Sequence, residues 1–168
     1  LMLRHSAQTL LAPQEYDLKD FIMPVAEDAR GSFAESIETL KGVVFILDGH
    51  LEAAKKLFQS LLERTEHSLS ETLCQLCLLQ IALLEGNNEK AEEYASIRSV
   101  KSFLSLKMAD VQMIQAWYQF KVKKDIAQTR KAMKIARQKM NSSRMLRDEQ
   151  CYYENWLAEL EKALVEGV

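Results

Sequence analysis

The chain has 168 residues, of which 48% are hydrophobic, 5 are glycine and 2 are proline. This length suits one domain with a substantial core, and the scarcity of glycine and proline favours helices over a turn-rich β fold. The net charge of −2 argues against a surface that binds polyanions over its whole extent.

The three cysteines, Cys74, Cys77 and Cys151, are an odd number, and two of them stand among leucines. This usage argues against a disulfide scaffold and predicts a reducing, cytoplasmic location. The longest apolar stretch, residues 73–84, is shorter than the roughly 20 residues of a membrane span, so we expect no membrane partner. Leu1 is not an initiator methionine, which suits a fragment of a longer protein.

Residues 1–31 predict a short N-terminal helical segment. Residues 1–13 have no strong period and predict a short or frayed element. Residues 15–23 place apolar side chains on one helical face, and Pro24 is expected to end or kink that helix. A capping serine, Ser32, then marks the start of the next element.

Residues 32–140 carry apolar side chains at spacings of three and four, which predicts helical hairpins. The run at 43–47 would suit a strand if taken alone, but the repeat described next favours a helix there. The predicted helix pairs are 32–47 with 51–64, 70–84 with 89–100, and 107–122 with 126–140.

Residues 141–168 predict a C-terminal capping helix over 147–166, with Leu157, Leu160 and Leu164 inside and glutamates outside. A terminal repeat needs one solvent-exposed polar face, and the glutamates of this helix supply it.

The sequence around Gly49 returns 37 residues later around Gly86. Each stretch has a turn glycine, a helix start, and an alanine five residues past the glycine. A fixed period of 20–50 residues is typical of stacked helical repeats, in which each hairpin buries its apolar face against its neighbours. The repeat positions are Gly49, Ala54 and Phe58, then Gly86, Ala91 and Tyr94, with Ala127 continuing the series.

These positions resemble the tetratricopeptide-repeat family in its turn glycine, close-packing alanine and following aromatic residue. The match covers roughly residues 32–140, and it departs from the family in its period and in lacking the proline between repeats. The resemblance implies an all-α, right-handed superhelical stack of about three hairpins. It also implies peptide or protein binding in the groove lined by the first helix of each hairpin.

The cysteine pair Cys74 and Cys77 has the C-x-x-C spacing of metal and redox sites. Tetrahedral zinc needs two more ligands, and a redox pair needs an electropositive helix N-terminus. The pair lies in mid-helix among leucines, so we interpret it as core packing. No phosphate loop, nucleophile elbow or Gly-rich dinucleotide signature is present. We therefore expect no enzymatic activity, no metal and no cofactor.

Ten basic residues and a single acid, Asp125, lie between Lys121 and Arg147. On a helix, Ile126, Met133, Ala136 and Met140 would face inward, while basic side chains recur at i, i+4 and i+7 on the outside. This pattern suits either a solvated face or a docking ridge for an acidic partner. The predicted partner-binding residues are Lys123, Lys124, Arg130, Lys131, Lys134 and Arg137, with the neighbouring Trp117 and Tyr118.

The leading functional hypothesis is a non-enzymatic module that binds a protein or peptide, as part of a regulator or assembly factor. The alternative is a regulatory helical domain of a nucleic-acid-binding protein whose DNA-binding domain lies outside this chain. The helix at 73–84 is apolar nearly all round, so it is either covered on both sides or part of a self-association face that forms a homo-oligomer.

Overall fold

A computed structural model describes residues 16–28, 33–143 and 145–167. Within these ranges every regular element is a helix, which confirms the all-α prediction. The element expected in residues 1–13 and the cap expected at Ser32 lie outside the described residues. The helices are α1 (Leu18–Asp28), α2 (Ala34–Leu47), α3 (Leu51–Arg64), α4 (Ser68–Leu84), α5 (Asn88–Ser96), α6 (Arg98–Leu104), α7 (Ala109–Tyr118), a π-helix (Gln119–Lys123), α8 (Ile126–Ser142) and α9 (Arg147–Glu166).

Three helical hairpins form the body of the fold. Helix α2 packs on α3, α4 on α5, and α7 on α8. The first helices of the hairpins, α2, α4 and α7, also contact one another in that order, so α4 lies between the other two. This central position accounts for the apolar surface of α4, which is buried from Cys74 to Leu83. The self-association alternative for this helix is therefore not needed to explain its composition.

The structure differs from the predicted helix boundaries in two places. Pro24 was expected to end or kink the first helix, and it does not end it, because α1 continues through this residue to Asp28. The side chain of Pro24 is exposed, and the hydrogen bond that it cannot donate lies on the solvent side. The helix expected over 89–100 is interrupted at Ile97, whose extended backbone separates α5 from α6.

The turns between the paired helices share one backbone geometry. Gly49, Gly86 and Lys124 have positive φ angles of 79°, 73° and 56°. Glycine adopts this left-handed conformation without strain, whereas Lys124 is the single non-glycine residue of the described chain that does so. In the last two turns the next residue caps the following helix. Asn87 accepts a hydrogen bond from the backbone of Lys90 and Asp125 from that of Gln128.

The close-packing position of each hairpin lies five residues after the turn. Ala54 and Ala91 are fully buried there, as predicted. The third member of the series is Thr129, which is also fully buried, and the prediction of Ala127 is wrong because that side chain is exposed. The third turn residue, Lys124, lies one position later than the interval from Gly49 to Gly86 would place it, and the π-helix before this turn accommodates that one extra residue.

The two aromatic residues of the repeat differ in how deeply their side chains are buried. Phe58 is fully buried, whereas Tyr94 is half-buried. The ring of Phe58 lies directly against Gly42 of α2, where a Cβ atom would come within 2.8 Å of the Cε atoms of the ring. A glycine in mid-helix therefore admits the phenylalanine at the first helix crossing.

Helix α9 packs on α7 and α8 at the end of the stack, and it also contacts α1 and α2. A capping helix was predicted for the last hairpin only, so its contact with the first two helices is new. Both oxygens of the Asp148 carboxylate accept hydrogen bonds at the start of α1, from the backbone N–H groups of Leu18 at 2.8 Å and Lys19 at 3.4 Å. Arg147 pairs with Asp17 at 2.8 Å. The last helix thus connects the two ends of the described chain.

Candidate functional site

An apolar groove of about 390 Å³ lies along the three first helices. Helix α9 closes one end of this groove with Tyr153. The volume is in the range of ligand-binding clefts in proteins. Residues of all three first helices line it: Phe33, Ile37, Leu40 and Val43 in or beside α2, Leu69, Leu73, Leu76, Cys77 and Gln80 in α4, and Met108, Val111 and Ile114 in or beside α7.

The mouth of the groove is formed by the N-terminal turns of the first helices. Phe33, Leu69 and Met108 stand there with 62%, 53% and 38% of their surface exposed. A neighbouring hollow shares Leu69 and adds Leu106, which is 42% exposed. Most exposed apolar side chains of a protein are scattered singly. Phe33, Leu69 and Met108 line one groove, and Leu106 lines the hollow that shares Leu69, a grouping that is typical of a binding surface.

Polar groups are few in the groove. Asp110 is the one charged residue among the described residues that line it, and its carboxylate accepts a hydrogen bond from the backbone of Val111 at 2.9 Å. Gln80 is 4% exposed, and its Nε2 has no hydrogen-bond partner within the described part of the chain. Burial raises the pKa of the Tyr152 hydroxyl to about 12.

The first helices begin without side-chain caps. The residues before them, Phe33, His67 and Met108, accept no backbone hydrogen bond through their side chains. The first-turn N–H groups are therefore not capped by the preceding side chain, although that of Val111 donates to the Asp110 carboxylate within its own helix. Each helix carries an acid in its first turn, which offsets the positive end of the helix dipole. The mouth is therefore primarily an apolar surface.

The two aromatic residues that were predicted to contact a partner are buried in the structure. Trp117 and Tyr118 are 6% and 7% exposed, so neither can line a docking ridge. Trp117 stacks on Trp156 of α9 with ring centroids 5.6 Å apart. Tyr118 donates a hydrogen bond to Glu92 at 2.8 Å. Both are core residues of the third hairpin, and their prediction as surface contacts is wrong.

Several cations of the basic segment are bound within the chain. Lys123 pairs with Glu92 at 2.7 Å, and this lysine, followed by Tyr118, lowers the pKa of the glutamate. Lys121 donates to the backbone carbonyl of Leu83 at 2.8 Å, and burial lowers its pKa. Arg137 pairs with Glu161 of α9. Lys123 and Arg137 are therefore structural contacts rather than free members of the predicted ridge.

Four other members of the predicted partner-binding set remain. Arg130, Lys131 and Lys134 lie on the exposed face of α8, and Lys124 lies in the turn before it. All four side chains are exposed and have no ion-pair partner in the described ranges. Ile126 was expected to face inward, but 44% of its surface is exposed. The buried face of α8 consists of Thr129, Ala132, Met133, Ala136 and Met140.

The cysteine pair lies in the core, as predicted. Cys74 is fully buried and Cys77 is 9% exposed. Burial raises the pKa of Cys74 to about 11, which disfavours the thiolate that metal binding and redox chemistry require. Among the residues with described positions, no cluster of three or more His, Cys, Asp or Glu could hold a metal ion. None of the described helices has the length and apolarity to cross a membrane.

Sequence reasoning named the groove of the first helices through the family resemblance but did not identify its residues. Phe33, Leu69 and Met108 each lie at or next to the start of a first helix. An apolar residue beside a helix N-terminus in three successive hairpins is the signal that could have found them.

No protein-family model, no curated protein and no solved structure matches this chain.

Proposed function

We propose that this chain is a non-enzymatic protein-binding module of a regulator or assembly factor, and that its groove binds an amphipathic helix of a partner protein. The observation that carries the proposal is the grouping of exposed Phe33, Leu69 and Met108 at the mouth of the groove. Exposed apolar side chains around a concave apolar surface lose contact with water when a complementary chain binds.

The packing of α9 beside the groove favours a helix as the bound segment, because α9 is itself a helix that packs on the surface next to the groove. Its residues Tyr153, Trp156 and Leu160 are buried in one cluster with Leu76 and Leu79 of α4. Tyr153 also forms the wall where the open groove begins. A partner helix with apolar residues at similar spacing would extend the packing that α9 begins.

The repeated turn geometry and the side-by-side first helices support a divergent tetratricopeptide-like stack as the scaffold of this module. In such a stack, the first helices form the recognition surface and the second helices form the outer wall. The free thiols of Cys74 and Cys151 are in keeping with a reducing compartment such as the cytoplasm.

A groove-filling variant tests the proposal. Helical peptides selected from a random display library against the native chain would be measured for affinity by fluorescence polarisation. Ser70→Trp places an indole on a residue that lines the groove, and Ser60→Trp places the same group on the exposed face of α3. Selected peptides should bind the Ser60→Trp variant as they bind the native chain, and the Ser70→Trp variant at least about tenfold more weakly.

Equal affinity for both tryptophan variants would show that the groove is not the binding surface. Failure to select any peptide with apolar residues at i, i+3 or i+4, and i+7 would also contradict the proposal. Circular dichroism on each variant establishes that the helical fold is retained.

A further inference from the structure

We propose that the outer face of α8 is a second binding surface, which docks an acidic segment of a partner protein. The surface consists of Arg130, Lys131 and Lys134, with Lys124 at its N-terminal end. It lies on the second helix of the last hairpin, and the argument for it does not depend on the groove.

The basic side chains of this surface have no counter-charge within the described residues. The cations that the fold uses are paired with carboxylates or a carbonyl, as Lys123 is with Glu92. Arg130, Lys131 and Lys134 are exposed and have no such partner in the described residues. Arg130 and Lys134 stand at i and i+4, where like charges destabilise a helix. Folding stability therefore does not explain this group, whereas attraction to an acidic partner does.

The positive surface is narrow and follows one helix. Four residues of helix rise by about 6 Å, so the basic side chains from Arg130 to Lys134 form a strip about one turn long. Carboxylates lie at its borders: Glu161 contacts Arg137 at one end, and Glu92 contacts Lys123 beyond the other. A strip of one helix face matches one acidic peptide, whose carboxylates can accept paired hydrogen bonds from a guanidinium.

The same borders disfavour nucleic acid. A DNA duplex carries about one negative charge per 1.7 Å of axis, and its phosphates would extend past the strip towards Glu161 and Glu92. Single strands bind by stacking bases on exposed aromatic rings. Trp117 and Tyr118, two of the aromatic residues next to this segment, are buried and cannot serve as such a platform.

The test uses three labelled probes and the full chain. The first probe is a short helical peptide with glutamate at i, i+4 and i+7, the second is the same peptide with glutamine at those positions, and the third is a mixed-sequence DNA duplex. The strip variant combines Arg130→Glu, Lys131→Glu and Lys134→Glu. These substitutions keep helix propensity nearly constant and leave the buried face of α8 unchanged.

A matched control carries the same change in net charge at exposed lysines away from α8. It combines Lys19→Glu, Lys56→Glu and Lys101→Glu. Any general effect of making the chain more acidic is therefore equal in the two variants. Circular dichroism and thermal unfolding verify that both variants fold.

The native chain and the control should bind the glutamate peptide, and the strip variant should bind it at least about tenfold more weakly at low salt. The glutamine peptide should bind all three proteins equally weakly. The Ser70→Trp variant should keep its affinity for the glutamate peptide, so the failure of one proposal leaves the other testable.

Three results would overturn the inference. One is a native chain that does not prefer the glutamate peptide over the glutamine peptide. Another is an equal loss of affinity in the strip variant and the control. The third is a duplex that binds more tightly than the peptide and loses its affinity in the strip variant, because the surface would then be a nucleic-acid site.

Discussion

Replacing Gly42 by alanine should destabilise the protein, although alanine is the better helix former. A Cβ atom at this position would come within 2.8 Å of the Cε atoms of Phe58, whose side chain is fully buried. Inserting a methyl group into such a packed site costs about 1–3 kcal/mol. The gain from removing a glycine within a helix is about 0.5–1 kcal/mol. The clash therefore outweighs the propensity, with a net loss of about 1–2 kcal/mol.

Thermal unfolding followed by circular dichroism measures this loss. For a chain of this size, 1 kcal/mol corresponds to about 2–4 °C, so the Tm of Gly42→Ala should fall by about 2–8 °C. Ser36→Ala, at an exposed position of the same helix, serves as the control and should change stability by less than about 0.5 kcal/mol.

The same substitution in a Phe58→Leu protein tests whether the clash with Phe58 causes the loss of stability. In a Phe58→Leu protein the shorter side chain removes the clash, so Gly42→Ala should then raise the Tm through helix propensity alone. A Tm that rises when Gly42→Ala is made in the native protein would refute the reasoning, because it would mean that the ring of Phe58 moves aside at little cost.

Three further predictions concern the repeat, a thiol and an ion pair. Ala91→Leu should lower the free energy of unfolding in urea by about 1–3 kcal/mol, whereas Ala127→Leu at an exposed site should change it by less than about 0.5 kcal/mol; similar values would contradict the revised repeat register. A thiol reagent at about pH 8 should modify Cys151 in the folded protein, and Cys74 only after unfolding, because burial raises the pKa of Cys74 to about 11; mass spectrometry distinguishes these sites. Glu92→Gln should lower the Tm at neutral pH. The difference in Tm from the native chain should vanish as the pH falls below 4.5 and through the lowered pKa of the Glu92 carboxyl. A difference in Tm that stays constant down to about pH 3 would exclude the ion pair as its source.

The helices and turns of the hairpins could be predicted from sequence because their signals are local. The turn glycines require a left-handed backbone, and apolar periodicity marks each helix. Helices were predicted over 51–64 and 147–166, and these are the bounds of α3 and α9. The run at 43–47, which alone resembles a strand, lies in α2 as the repeat indicated.

The surface could not be predicted in the same way, because it depends on contacts between distant residues. Whether Lys123 is free depends on Glu92, which lies 31 positions earlier in the chain. Trp117 is buried because α9 covers it with Trp156. The groove exists because α9 covers only part of the first helices, and periodicity within one helix carries no information about that coverage.

The connection between the chain ends that α9 provides has a consequence for how the molecule unfolds. An open stack of repeats behaves as a one-dimensional array, in which terminal units can melt independently of the rest. Here the carboxylate of Asp148 holds the first turn of α1 while the rest of α9 is packed on the third hairpin. Melting at either end therefore breaks contacts at the other, so we expect the three hairpins to unfold as one cooperative unit that shares any local perturbation.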